Sequence, residues 1–121
     1  MSPEVLAVGP ATSLVDAAGR MHDRRVGAVV VTDGGRLVGI LTERDVLRAV
    51  ATGGVDGMVA EAMTRAPDTI GPDETVGHAA ALMIHGGFRH LPVVDGDSVI
   101  GMISIRDLVR LSVDDEVPRG V

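Results

Sequence analysis

The stretch that decides the fold is GILTERD at residues 39–45, which recurs as GMISIRD at residues 101–107. In each copy a glycine and two apolar residues lead to a hydroxyl residue, and an arginine–aspartate pair follows. This pattern predicts the end of a strand that runs into the start of a helix. The copies lie 62 positions apart, from 39 to 101, and the flanking sequences align without a gap. We therefore expect the chain to contain one structural unit twice.

The hydroxyl residues at the ends of the two stretches, Thr42 and Ser104, are open to two interpretations. In the first, each hydroxyl and the aspartate three residues later form a capping box, which satisfies free backbone N–H groups in the first helical turn and needs no ligand. In the second, the positive end of the helix attracts an anion, and Arg44 and Arg106 hold a phosphate through their several donors. The residues by themselves favour the capping interpretation.

The length of 121 residues corresponds to one domain. A half of about sixty residues would bury little surface by itself, so we expect the halves to share a core. The hydrophobic fraction of 45% argues against disorder. No apolar run approaches the ~20 residues that a membrane span needs, and no basic segment leads into an apolar stretch at the N-terminus. We therefore expect a soluble, cytoplasmic protein without a membrane partner.

The composition argues against several classes of function. Because the chain has no cysteine, disulfides, thiolate chemistry and cysteine-ligated metals are excluded. The net charge of −6 argues against nucleic acid as a partner, since nucleic-acid binding needs a basic surface. Phe88 is the one aromatic residue, so a platform that stacks single-stranded bases is also missing.

Both halves have the same order of predicted elements. A short apolar strand precedes a helix, which Ser13 begins in the first half and which has its apolar residues on one face. A β-hairpin over 27–41 follows, with turn residues at 33–36 as a four-residue loop. A second helix, from Thr42 to about Ala51, completes the half. The predicted unit is therefore strand–helix–strand–strand–helix.

These elements divide the chain into four segments. We predict a first repeat at 1–52, a glycine-rich linker with a short helical turn at 53–64, a second repeat at 65–113 and a frayed polar tail at 114–121. Two such repeats bury a common core if their sheets face each other with the helices outside. We therefore predict an α/β fold of two βαββα repeats related by pseudo-twofold symmetry, with two related clefts between them.

The repeated motifs resemble those of CBS domains. Each copy has Gly-Pro, a capped helix with Ala-Ala-x-x-Met, a hairpin with Asp-Gly, and the Gly-h-h-[Thr/Ser]-x-x-Asp stretch. The second copy adds FRHLPVVD at 88–95, which is similar to the Arg-x-x-Pro-Val-x-Asp runs of the family. The resemblance covers about residues 5–113 and implies a tandem CBS pair, because two copies in register are far more specific than any single motif.

The resemblance implies a regulatory module rather than an enzyme, with AMP, ADP, ATP or S-adenosylmethionine as a regulatory ligand and no cofactor. The resemblance implies that Asp45 and Asp107 accept from the ribose hydroxyls, with Thr42 and Ser104 beside them. It places Arg44 and Arg106 near the phosphates, where Arg89 and His90 can join them. The base would be lined by Thr69, Ile70 and Pro92. Adenine would then be held by backbone and apolar surface without aromatic stacking.

The first copy departs from the pattern of the second at several of these positions. It has Ala7, Gly27, Ala28 and Val30 where the second copy has Thr69, Arg89, His90 and Pro92. We therefore expect the two clefts to be unequal, so that one of them can be empty of ligand. The sequence does not assign Arg89 and His90 to either cleft.

A module without a small ligand is the alternative, acting through dimerisation or an effector protein of unknown identity. The small residues Ala79-Ala80-Ala81 allow close helix packing, which fits burial within the module and a dimer face equally well. Because CBS pairs often dimerise, the family favours a homodimer.

Two further hypotheses carry less weight. His78 and His85 share a helical face, as metal ligands can, but no third ligand is evident. Ser104, His90 and Asp107 contain the residue types of a hydrolase triad, yet the serine and aspartate already have capping roles. We therefore expect neither a metal site nor catalysis.

Overall fold

A computed structural model describes residues 5–116 of the chain. Its elements in order are β1 (Ala7–Val8), α1 (Leu14–Arg24), β2 (Ala28–Asp33), β3 (Arg36–Thr42), α2 (Glu43–Thr52), α3 (Val59–Ala62), β4 (Thr64–Arg65), α4 (Val76–Gly86), β5 (His90–Asp95), β6 (Ser98–Ser104) and α5 (Ile105–Glu116). The predicted α/β fold of two similar repeats is confirmed. In the second repeat the first strand is reduced to one parallel bridge between Ile70 and Val93.

The first helix of each repeat begins at a hydroxyl residue in the same relative position. The Asp16 N–H donates to Ser13 Oγ at 3.1 Å, and the His78 N–H donates to Thr75 Oγ1 at 3.0 Å. These bonds satisfy backbone donors that the helix itself leaves free. The predicted cap at Ser13 is therefore confirmed.

The hairpin turns are tighter than the sequence suggested. Asp33 pairs with Arg36, so the loop contains only Gly34 and Gly35, whose φ angles of 60° and 83° are both positive. A two-residue turn with positive φ at both positions follows the right-handed twist of the strands. The prediction of a four-residue loop was wrong, because the two flanking residues extend the strands. The β5–β6 hairpin also has a two-residue loop, since Asp95 pairs with Ser98, but of its two loop residues only Gly96 has a positive φ, 62°.

The strands form one sheet in each repeat. The first sheet has the order β1-β2-β3-β4, and the second consists of β5 and β6. β3 and β6 contact each other and so bring the two repeats together. At Gly39 in β3 a Cβ would lie 2.9 Å from the backbone oxygen of Thr64 in β4, so the glycine permits the close approach of a neighbouring strand.

Each repeat has a hydrophobic cluster built from corresponding positions. The first cluster contains the buried residues Val8, Leu14, Ala17, Met21, Val29, Val31, Leu41, Ala49 and Val59, and the second contains Ile70, Ala79, Met83, Leu91, Val93 and Leu108. Both helices of a repeat therefore bury one face against its strands, as the periodicity predicted. Of the three alanines on α4, Ala79 is buried, Ala80 packs against the second cluster and Ala81 is exposed.

The segment after α2, which contains α3 and β4, packs against the first repeat. Val59 in α3 is fully buried in the first cluster, and β4 extends the first sheet. The predicted helical turn is thus confirmed, and its packing follows from the apolar residues that it carries. At the other end, α5 continues through Glu116, so residues 114–116 of the predicted tail are helical. Residues 117–121 lie outside the described residues.

Within residues 5–116, every helix is too short or too polar to cross a bilayer.

Candidate functional site

The start of α2 is held by a reciprocal cap between Thr42 and Asp45. The Thr42 N–H and hydroxyl donate to Asp45 Oδ2 at 2.9 and 3.0 Å, and the Asp45 N–H donates to Thr42 Oγ1 at 3.2 Å. Arg48 Nη1 donates to the second carboxylate oxygen, Oδ1, at 3.2 Å. Both oxygens of Asp45 are therefore engaged, and only 4% of the residue is exposed.

The start of α5 has the same cap but leaves its carboxylate more open. The Ser104 N–H donates to Asp107 Oδ2 at 2.9 Å, and the Asp107 N–H donates to Ser104 Oγ at 3.2 Å. Asp107 is half-buried, and its Oδ1 accepts no hydrogen bond from the described side chains. The capping interpretation is confirmed in both copies, and it leaves one oxygen of Asp107 able to accept a further donor.

The carboxyl of Asp107 is kept ionised by its surroundings. Burial raises the pKa of this carboxyl, but hydrogen bonds from the backbone and hydroxyl of Ser104 and the charge of Arg110 lower it. The net pKa lies below the ordinary value of 3.8. Asp107 is therefore a charged acceptor at neutral pH.

Both caps open on one cleft between the repeats, with a volume of about 910 Å³. Its walls follow the pseudo-twofold relation: Gly27, Ala28 and Glu43 of the first repeat stand where the second has Arg89, His90 and Ile105. The Glu43 N–H donates to the Gly27 carbonyl at 3.0 Å, and the corresponding Ile105 N–H donates to the Arg89 carbonyl at 2.8 Å. The two clefts predicted from the sequence are thus joined in one cavity.

Most of the residues predicted to bind a ligand line this cleft. They are Thr42, Arg44, Asp45, Arg89, His90, Ser104, Arg106 and Asp107. Thr69, Ile70 and Pro92 are not brought to its walls. Ile70 and Pro92 are buried, and the Ile70 N–H donates to the Pro92 carbonyl at 3.1 Å, because this segment takes the place of the first strand of the repeat. A role for these three residues in a base pocket stays a prediction.

The cleft concentrates positive charge in an acidic chain. Of the 11 basic residues, all arginine, five lie in its walls: Arg25, Arg44, Arg48, Arg89 and Arg106. The acidic residues there are Glu43, Asp45, Asp68 and Asp107. Since the chain as a whole carries −6, this local excess of arginine favours an anionic ligand.

His90 and Glu43 come from different repeats and border the same part of the cleft. A Cβ placed on Gly27 would lie 3.5 Å from His90 Nε2 and 3.2 Å from Glu43 Oε1, so the two side chains flank the same space. Burial lowers the pKa of the His90 imidazole below 6.5, with a further lowering by Arg89, and the carboxylates of Glu43 and Asp107 oppose this. His90 is therefore mainly neutral at pH 7, with one ring nitrogen that can donate a hydrogen bond and one that can accept.

Several wall residues were absent from the predicted site, among them Glu43, Arg48 and Phe88. Glu43 is adjacent to Thr42, and its position near His90 depends on how the repeats pack, which no local motif predicts. Phe88 lies in the motif at 88–95 but was not given a ligand role; its ring packs against Gly86 at the edge of the cleft. We expected adenine to be held without aromatic stacking. The wall of the cleft nevertheless contains one aromatic side chain, that of Phe88.

The histidines considered as metal ligands lie elsewhere, on α4. His78 Nε2 is 3.5 Å from Glu74 Oε2 on the exposed surface, and His85 is exposed. Among the described side chains, those of residues 5–110, three or more potential metal ligands are not found together.

The CBS-domain family model matches the chain twice, at residues 1–52 and 59–114. The chain belongs to the CBS-domain family. The predicted tandem pair is confirmed, and the glycine-rich residues 53–58 fall between the two matches.

Relatives of this CBS pair occur in archaea and plants. An uncharacterized 17.7 kDa protein of Acidianus ambivalens is 36% identical over 113 residues, covering 92% of this chain and 69% of that protein. The CBS domain-containing protein CBSCBSPB2 of Arabidopsis thaliana is 37% identical over 106 residues, covering 84% of this chain. The match spans only 20% of the length of the plant protein.

Two solved CBS structures with bound ligands are similar to this chain. The CBS domain pair of protein MJ0100, in complex with 5′-methylthioadenosine and S-adenosyl-L-methionine, is 29% identical with a TM-score of 0.91, over 96% of this chain and 94% of that one. The protein PAE2072 of Pyrobaculum aerophilum, complexed with AMP, is 28% identical with a TM-score of 0.83, over 93% and 95% of the two chains.

Replacing Asp107 by Asn is expected to reduce the acid sensitivity of the fold. A carboxyl whose pKa is lower in the folded than in the unfolded chain stabilises the fold fully above its ordinary pKa and loses that contribution as the pH falls through the folded value. Thermal unfolding from neutral pH to below 3.8 should therefore show a wild-type advantage over Asp107→Asn that shrinks in acid. Asp97→Asn, in an exposed turn, is the control; a constant difference between wild type and Asp107→Asn at every pH would contradict the account.

Proposed function

We propose that this CBS pair is a regulatory module that binds an adenine nucleotide, such as AMP, ADP or ATP, or a related adenosine ligand, such as S-adenosylmethionine, in the cleft between its repeats. One observation at Asp107 carries the proposal. Its carboxylate is ionised, Oδ2 accepts a hydrogen bond in the helix cap, and Oδ1 accepts none from the described residues. Such an oxygen suits the hydroxyls of a ribose.

The charges of the cleft support a phosphate-bearing ligand. Arg44, Arg89 and Arg106 are exposed in its walls and take part in no ion pair among the described side chains. Guanidinium groups bind phosphate through two parallel donors. AMP is the first ligand to test, because a similar CBS protein is complexed with it.

The proposed module is regulatory and not catalytic. CBS-domain proteins are typically regulatory modules, and Ser104 Oγ accepts the Asp107 N–H, which assigns the hydroxyl to the helix cap. The protein or process that ligand binding would control is an effector of unknown identity. A cytoplasmic location also remains a prediction.

A homodimer is the second proposal, and exposed apolar side chains on the outer helices support it. Val15 on α1, Leu47 on α2, Ile84 on α4 and Val109 on α5 have between 57% and 75% of their surface exposed. Exposed apolar side chains mark contact with another protein where they form a continuous patch. The same surface supports the ligand-free alternative, in which dimerisation or a partner protein is the whole function.

AMP is expected to bind the wild-type protein in titration calorimetry, and Asp107→Asn should weaken the binding. A hydrogen bond to a charged group contributes about 1.5–3 kcal/mol, so the dissociation constant should rise about ten- to a hundredfold. Asp97→Asn removes the same charge from an exposed turn and should bind as the wild type does. ADP, ATP and S-adenosylmethionine are titrated in parallel. Heat from none of the four ligands would contradict the proposal and favour the ligand-free alternative.

The dimer is tested by sedimentation equilibrium. We expect the wild-type protein to have twice the mass of the chain, and the double variant Leu47→Glu/Ile84→Glu to have the mass of one chain, because buried glutamates would be costly at an apolar interface. Ser98→Glu, in an exposed turn, should remain a dimer. A wild-type protein with the mass of a single chain at all concentrations would refute the homodimer.

A further inference from the structure

The two ends of the cleft carry the same cap, but the burial and the hydrogen bonds of the capping aspartate differ between them. At the first-repeat end, Asp45 is buried and both of its oxygens accept hydrogen bonds. At the second-repeat end, Asp107 is half-buried and its Oδ1 receives no hydrogen bond from the described side chains. Because the capping residues correspond, the difference must come from the side chain that reaches the second oxygen.

That side chain is Arg48. It follows Asp45 by three positions on α2, lines the cleft and donates from Nη1 to Asp45 Oδ1 at 3.2 Å. Its counterpart on α5, Arg110, stands in the same sequence position relative to Asp107. Arg110 is exposed, does not line the cleft and has no contact with Asp107 within 4 Å. The same residue type therefore closes one aspartate and leaves the other open.

A second feature separates the two ends. Glu43 follows Thr42 at the first-repeat end and adds a negative charge to the cleft wall, whereas the corresponding Ile105 adds none. A ribose-bearing anion would therefore meet an occupied acceptor and an extra carboxylate at one end, and a free acceptor without that carboxylate at the other.

We infer that Arg48 is an occupancy-determining residue that closes Asp45 to ligands, so that one chain takes a single adenosine ligand, held through Asp107. This inference rests on the proposed function and deepens it, because it assigns the ligand to one end of the cleft. It also makes the pseudo-twofold symmetry of the fold a poor guide to the number of ligands.

Arg48 is the partner of the pair that can be replaced. Its side chain is 62% exposed, whereas that of Asp45 is 4% exposed, so the folding of an Arg48 variant is measured directly. Without Arg48, the Asp45 carboxylate keeps both hydrogen bonds from Thr42, while Oδ1 loses the hydrogen bond that Asp107 Oδ1 also lacks among the described side chains. Arg48→Met keeps the unbranched aliphatic stem and a good helix former at this position. Arg110→Met is the matched control, since it removes the same charge from the corresponding position of the other repeat.

The test is the stoichiometry of AMP binding in titration calorimetry, with circular dichroism to verify folding. We expect one AMP per chain for the wild type and for Arg110→Met, and two for Arg48→Met. The double variant Arg48→Met/Asp107→Asn should bind one AMP, through Asp45. Asp107→Asn alone should lose binding at least tenfold, as expected for loss of a charged acceptor.

The outcomes separate this inference from the proposed function. Two AMP molecules per wild-type chain, or one AMP per chain in Arg48→Met with unchanged affinity, would overturn the inference and leave the proposed function intact. Binding that survives in Asp107→Asn and disappears in Asp45→Asn would do the same. No binding of AMP, ADP, ATP or S-adenosylmethionine to any variant would overturn both.

Discussion

The hydrogen bonds between Thr42 and Asp45, and between Ser104 and Asp107, are the interactions on which the site depends. Each fixes the start of a helix at the end of a strand, so that the chain turns without leaving backbone donors free. Because β3 and β6, the strands that end at these caps, lie against each other, both helix starts face the same cleft. The geometry of the candidate site is thus a consequence of helix capping and of the packing of two strands.

This arrangement explains how a small acidic chain can offer a site for an anion. Five of its 11 arginines line the cleft beside four acidic residues, so the acidic excess of the chain lies outside the cleft. Because both repeats contribute to the walls, the proposed ligand would contact both repeats, and the stabilisation it gives would grow with the logarithm of its concentration relative to its dissociation constant.

Much of the fold could be predicted because the sequence contains the same local motifs in two copies. The caps at Thr42 and Ser104, the apolar faces of the helices and the paired hairpins all depend on residues close together in sequence. The site was less predictable, since it depends on packing. Ile70 and Pro92 are buried where the first-strand segment packs against β5, and Glu43 lies near His90 only because the two repeats pack together. The difference between Asp45 and Asp107 had no sequence signal at all, because Arg48 and Arg110 are the same residue at the same spacing.

The most direct test of the account is a crystal structure of the protein grown with AMP. The account predicts one AMP in the cleft between α2 and α5, with its ribose hydroxyls within hydrogen-bonding distance of the Asp107 carboxylate and its phosphate beside cleft arginines. AMP bound on another surface, or a cleft filled by the protein's own side chains in the presence of AMP, would contradict it.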